Sequence, residues 1–157
     1  MTGVRQPEMP CAKPMPSDRR RFNGHPDQVV LARQYVVSAL AEDSAIREVA
    51  RLLVSEVTTN ALRHTASGTA EGGFRVSYEL REDRLRVEVY DAGARTTPQR
   101  RAHDLEAPGG RGLELLDALA SRWGTLGGPG GRVVWFELDL GTSPSRAHHP
   151  SSSEGDR

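Results

Sequence analysis

Along the chain, Val29, Val30, Ala32, Val36, Val37 and Leu40 recur at helical spacing behind Pro26 and Asp27, two residues suited to a helix start. Ser44 opens a second amphipathic stretch, in which Ile46, Val49, Leu53, Val57 and Ala61 form an apolar stripe that ends near His64 and Thr65, with Gly68 beyond. The period then changes. Phe74, Val76, Tyr78 and Leu80 alternate with polar residues, Arg81 to Arg84 make a turn, and Leu85, Val87 and Val89 alternate again, which predicts an antiparallel hairpin. From residue 91 to about 111 there is no regular pattern, and so long a loop in a compact domain is usually functional or mobile. Leu113, Leu115, Leu116, Leu119 and Trp123 return to helical spacing. After the turn Gly127, Gly128, Pro129, Gly130, Gly131, the segment Val133 to Leu140 reads as a closing strand. The order helix, helix, strand, strand, loop, helix, strand predicts an α+β fold: a two-layer sandwich of helices on a mixed, mainly antiparallel sheet.

The pattern bounds one domain over residues 21–140. Residues 1–20 carry Pro7, Pro10, Pro14 and Pro16 without apolar periodicity, and residues 141–157 are rich in Ser, Pro and His. Both segments are predicted to be disordered, an N-terminal arm and a C-terminal tail. His148 and His149 fall in that polar tail and are read as solvated. The chain has 21 basic and 21 acidic residues among 157, so no global charge draws it to nucleic acid or to an anionic membrane. Cys11 is the single cysteine, which excludes an internal disulfide and a thiolate metal cluster. No apolar run approaches the roughly 18 residues that would span a bilayer, and no signal peptide is evident. The expected location is the cytoplasm.

Three polar sites stand outside the core pattern. Seven residues turn a helix by about 700°, so Glu56 lies nearly over Val49, Asn60 over Leu53 and His64 over Val57. An acid and an amide on that line must be paired, ligated or facing a wet cleft, unless this half of the helix simply leaves the core. The second site is Asp91, which falls on the same side of its strand as Leu85, Val87 and Val89, ahead of Ala92 and Gly93. Its carboxylate either accepts a hydrogen bond from a ligand amine or caps a turn. The third is Gly109, Gly110, Arg111 and Gly112, just before the helix that begins near Leu113. Such a run is either a flexible linker or a phosphate site made of backbone N–H groups and a helix start. It is neither the P-loop pattern nor the dinucleotide fingerprint. Together the three supply a base, a cation ligand, a base-reader and a phosphate cradle, the parts of a nucleotide site. Mg²⁺ suits the Asn60 amide oxygen, because beside a nucleotide this cation takes only one or two protein ligands.

At these residues the chain resembles the histidine-kinase-type ATPase superfamily shared by sensor kinases, type II topoisomerases, and mismatch-repair and heat-shock ATPases. Its likeness is greatest to a small bacterial branch, the anti-sigma-factor serine kinases and related stand-alone regulators. The matching stretches are Glu56 to His64, Val89 to Gly93, Gly110 to Leu116 and Gly131 to Trp135, in family order, within a likeness that runs from about Phe22 to Leu140 and includes Arg33. The resemblance implies ATP bound between the second helix and a mobile lid over residues 94–111. It implies that Glu56 activates the attacking group, that Asn60 holds Mg²⁺ and that Asp91 reads the adenine amino group. Nucleotide contacts are implied at Asn60, Asp91, Gly93, Arg95, Gly110, Arg111, Gly112 and Leu113. Arg95 departs from the pattern by standing where the family often has a second glycine, a place from which it either narrows the nucleotide mouth or reaches a phosphate.

The expected activity is phosphoryl transfer from ATP to a serine or threonine hydroxyl of a partner protein, with Glu56 taking the hydroxyl proton. No His-bearing dimerisation helix precedes the domain, and His64 is expected to be structural. The partners implied by the resemblance are a sigma factor and an antagonist protein, and a homodimer is compatible with an outward residue among Val134, Trp135 and Phe136. Two alternatives stay open: a non-catalytic ATP-dependent protein-binding module that controls a transcription regulator, and an interaction protein with no nucleotide site.

Overall fold

The structure is a computed structural model that describes residues 17–64, 72–92, 111–128 and 130–141. The described elements are β1 (Ser17–Asn23), α1 (Gln28–Val37), α2 (Arg47–His64), β2 (Gly73–Leu80), β3 (Arg84–Asp91), α3 (Arg111–Leu119), β4 (Arg122–Gly128) and β5 (Gly131–Asp139). The five strands form one sheet in the order β1-β2-β3-β5-β4. Every pairing among them is antiparallel. The fold is α+β, and the mixed sheet of the sequence reading is antiparallel throughout the described residues.

Strand alternation decides which side of the sheet is dry. Along β3, Leu85, Val87, Val89 and Asp91 are buried and the residues between them are half-buried. Facing them across β2 and β5 are Val76, Val134, Phe136 and Leu138, all in the core. The helices cover this side. α2 contributes Ala50, Leu53, Val54, Val57 and Ala61, while α1 contributes Ala32 and Val36. Arg47 ties these two helices together by donating to the carbonyls of Val37 (3.1 Å), Leu40 (2.9 Å) and Ala41 (3.4 Å). A guanidinium here satisfies carbonyls left over at the end of α1 and sits favourably against the negative end of its dipole.

Two segments differ from the sequence expectation. Residues 17–20, expected to belong to the disordered arm, form the start of the edge strand β1. The anchor is aromatic: Phe22 stacks on its register partner Phe74 at 5.3 Å and meets Tyr35 edge-on at 5.8 Å. Arg19 lies over Tyr90 and Arg20 over Phe22, so the Arg run is held by ring faces that a hydropathy pattern does not register. The rest of the arm and nearly all of the expected tail lie outside the described residues. The second difference is β4. Trp123 continues the helical spacing of α3, yet the helix stops at Leu119 and Trp123 is a strand residue opposite Phe136. Ser121 makes the switch, its N–H donating to the Glu137 carbonyl (2.8 Å) and its Oγ accepting from the Asp139 N–H (2.9 Å). The glycines of Arg122–Gly128 hid the strand, since Gly has poor strand propensity. Gly124 lies so close to the Trp135 indole that a side chain would collide with it.

The other side of the sheet carries an ion-paired layer. Arg86 pairs with Glu88 (2.9 Å) and Glu137 (3.1 Å), and Arg122 adds a second contact to Glu137 (2.7 Å). Trp135 is the outward one of the three residues Val134 to Phe136, and the Arg86 guanidinium covers its ring at 4.3 Å. Among the described residues no helix is long and apolar enough to cross a membrane.

Candidate functional site

The polar line of α2 arises from the offset between its buried stripe and the heptad count. The buried residues centre on Ala50, Val54, Val57 and Ala61, whereas Val49, Glu56 and Asn60 lie roughly a quarter of a turn round the helix. Glu56 and Asn60 are therefore half-buried on the flank of the stripe. The neighbouring hydroxyls bond back to the helix: Thr58 Oγ1 donates to the Val54 carbonyl (2.6 Å) and Ser55 Oγ to that of Arg51 (2.8 Å). From α1, Arg33 donates to Ser55 Oγ at 3.4 Å, one residue before Glu56. His64 closes α2.

α2 packs against both β3 and α3. One of its contacts with α3 lies at Asn60. Gly112, in the first turn of α3, approaches so closely that a Cβ on it would overlap Asn60 Nδ2, while Oδ1 would be 3.8 Å away. The carboxamide thus turns its nitrogen toward the α3 backbone and keeps its oxygen farther off. The first N–H groups of a helix have no partner within it and carry its positive end. A hard cation ligand and an anion-binding helix start are in this way brought side by side. Leu113 follows with 38% of its surface exposed.

Asp91 ends β3 on the covered side of the sheet, as alternation predicts, and its side chain is 1% exposed. It is register partner to Arg132, whose Nε donates to Oδ2 at 3.3 Å. The pair satisfies a buried carboxylate that would otherwise be costly. The sequence reading did not single out Arg132. Counting inward from Phe136 and Val134 along β5 would have placed it on the side of Asp91.

Of the residues expected at the site, Glu56, Asn60, Asp91, Gly112 and Leu113 lie in described segments, and Arg111 is the first residue of α3. Gly93, Arg95 and Gly110 lie outside the described residues, as does the expected lid over residues 94–111 except for Arg111. A shallow hollow lined by Ser77, Tyr78, Glu79, Arg86 and Glu88 lies apart from these residues, and two of its lining side chains, Arg86 and Glu88, are ion-paired.

The donor set suits a magnesium nucleotide. An amide oxygen and a carboxylate are hard ligands for Mg²⁺, helix N–H groups donate to phosphate oxygens, and a buried carboxylate accepts from an exocyclic amine. Among the described residues no three His, Cys, Asp or Glu side chains gather as a metal cage, so a cation at Asn60 would draw its other ligands from phosphate and water. Comparison with curated proteins finds none that matches. The family model described as the histidine kinase-like ATPase domain matches residues 22–138, and on this ground, with the α+β sheet and the helix contact at Asn60, the chain belongs to that family.

Proposed function

We propose that the chain is a cytoplasmic protein serine/threonine kinase of the anti-sigma-factor type, which binds Mg·ATP and phosphorylates an antagonist protein in a partner-switching pathway. The observation that carries this reading is the contact of Asn60 with the first turn of α3 in a chain of the ATPase family. Asn60 would hold Mg²⁺, which when bound neutralises phosphate charge. The N–H groups at the start of α3 would orient the triphosphate, and Asp91 would accept from the adenine amino group. Glu56 is the residue assigned to chemistry. As the acceptor oxygen bonds to the γ-phosphorus and the bond to ADP breaks, the hydroxyl proton passes to the Glu56 carboxylate.

Glu56→Gln tests the assignment, because the amide keeps the size and loses the base. A kinase retains affinity for Mg·ADP and loses phosphoryl transfer to its partner by about 10²-fold or more. Unchanged transfer removes Glu56 from the chemistry. Nucleotide binding in both forms with no phosphopeptide found by mass spectrometry in any co-purified partner instead favours a binding module that uses ATP to shape a docking surface.

A further inference from the structure

Sheet order leaves β1 at one edge, paired with β2 alone among the described strands, and all of its residues but Phe22 are exposed. Alternation sends Arg20 and Phe22 to the side of the helices, where the Arg20 guanidinium covers the rings of Phe22 and Tyr35. Arg19 and Arg21 go to the open side. There Arg21 is the register partner of Arg75 on β2, so two exposed arginines stand directly opposite each other on one face. Like charges in that relation destabilise a sheet. Glu79, Glu88 and Glu137 on the same face are held by Arg81, Arg86 and Arg122, and among the described residues neither Arg21 nor Arg75 enters an ion pair.

Charge on an edge strand commonly keeps other strands away. That role accounts for Arg19 and Arg21 but not for Arg75, which lies one strand in from the edge and repels Arg21. A second copy of the chain is a poor occupant of the edge, since β1 meeting β1 antiparallel about Arg20 sets Arg19 against Arg21 on both sides of the centre. An acidic strand is a good one. We infer that β1 takes an extended acidic segment of a partner protein as an additional strand of the sheet. Acidic side chains at alternate positions of that segment face Arg19 and Arg21, which share one side because a strand repeats every two residues. Arg75 adds to the field that draws them in. Backbone pairing supplies the docking, and the arginines choose the partner. The inference stands apart from the nucleotide site, because it uses the opposite side of the sheet and its edge.

The test measures fluorescence anisotropy of a labelled peptide in which glutamate alternates with valine, titrated with the full chain. The peptide binds, and versions with lysine in place of glutamate, or with every backbone nitrogen methylated, bind roughly tenfold more weakly or not at all. In the double variant Arg21→Gln, Arg75→Gln the affinity for the glutamate peptide falls roughly tenfold, while the urea midpoint is no lower than in the wild type because the repulsion between the two strands is relieved. Absence of binding to the glutamate peptide overturns the inference, as does an unchanged affinity in the folded double variant. Equal affinity for the methylated peptide shows a contact between charges without an added strand, and overturns it too. So does a labelled single-stranded oligonucleotide that binds more tightly and displaces the peptide. A dimer seen by sedimentation that the double variant abolishes assigns the edge to a second copy instead.

Discussion

The α-carbon of Gly112 rests against the carboxamide of Asn60, with no room for a methyl group between the first turn of α3 and Nδ2. The obstructing atom is the free end of a side chain, so Gly112→Ala is accommodated by swinging the amide away. Alanine also favours the helix by up to about 1 kcal/mol. The expected outcome is a urea unfolding free energy within about 1 kcal/mol of wild type, together with affinity for Mg·ADP about tenfold weaker, the equivalent of ~1.4 kcal/mol. Affinity and stability falling together would show instead that Gly112 serves packing alone.

Arg47 donates to three carbonyls at the end of α1 from the first residue of α2. Charge-assisted bonds of this kind contribute about 1.5–3 kcal/mol where no other donor replaces them. Because water reaches part of this junction, Arg47→Ala is expected to cost about 1–2 kcal/mol in urea unfolding. Arg47→Lys restores a part of that, since an ammonium keeps the charge and loses the fork.

Acid should destabilise the fold through the open side of the sheet. Burial pushes the Glu137 carboxyl up, but hydrogen bonds from Arg122 and Arg86 outweigh it and hold the group below the ordinary value of 4.5. Glu88 behaves alike, with burial opposed by hydrogen bonds from Tyr90 and Arg86. A carboxylate whose folded pKa is depressed adds stability that is fully present above its unfolded pKa and is lost as pH falls through the folded one. Unfolding free energy is therefore expected to be insensitive to these two groups above about pH 5 and to decline below about 4.5. In Glu137→Gln, chemical denaturation at stepped pH should give lower stability at pH 7 and a shallower acid decline.

The alternation of β3 was legible in the sequence because one face of the strand is dry, and this placed Asp91 on the correct side. The polar line Glu56 and Asn60 was legible too. Its depth was not, since the buried stripe is centred by how α2 leans on the sheet, which heptad counting along one helix does not reveal. β1 was hidden because its Arg residues are held by the rings of Tyr90 and Phe22 rather than by apolar alternation. β4 was hidden because Gly124, Gly127 and Gly128 weaken the strand signal, and Gly127, at φ +95°, bends the chain into the turn to β5. The Arg132 contact joins residues 41 apart in sequence, and only the pairing of β3 with β5 brings them together.

A magnesium nucleotide held at Asn60 is the centre of the proposed function. Isothermal calorimetry of the full chain with ADP, run with and without Mg²⁺ on the wild type and on Asn60→Ala, tests it most directly. The prediction is Mg²⁺-dependent binding by the wild type that weakens at least tenfold in the variant, whose circular dichroism stays native because Asn60 is only half-buried. No heat of binding by the wild type, or the same Mg²⁺-dependent affinity in both proteins, would contradict it.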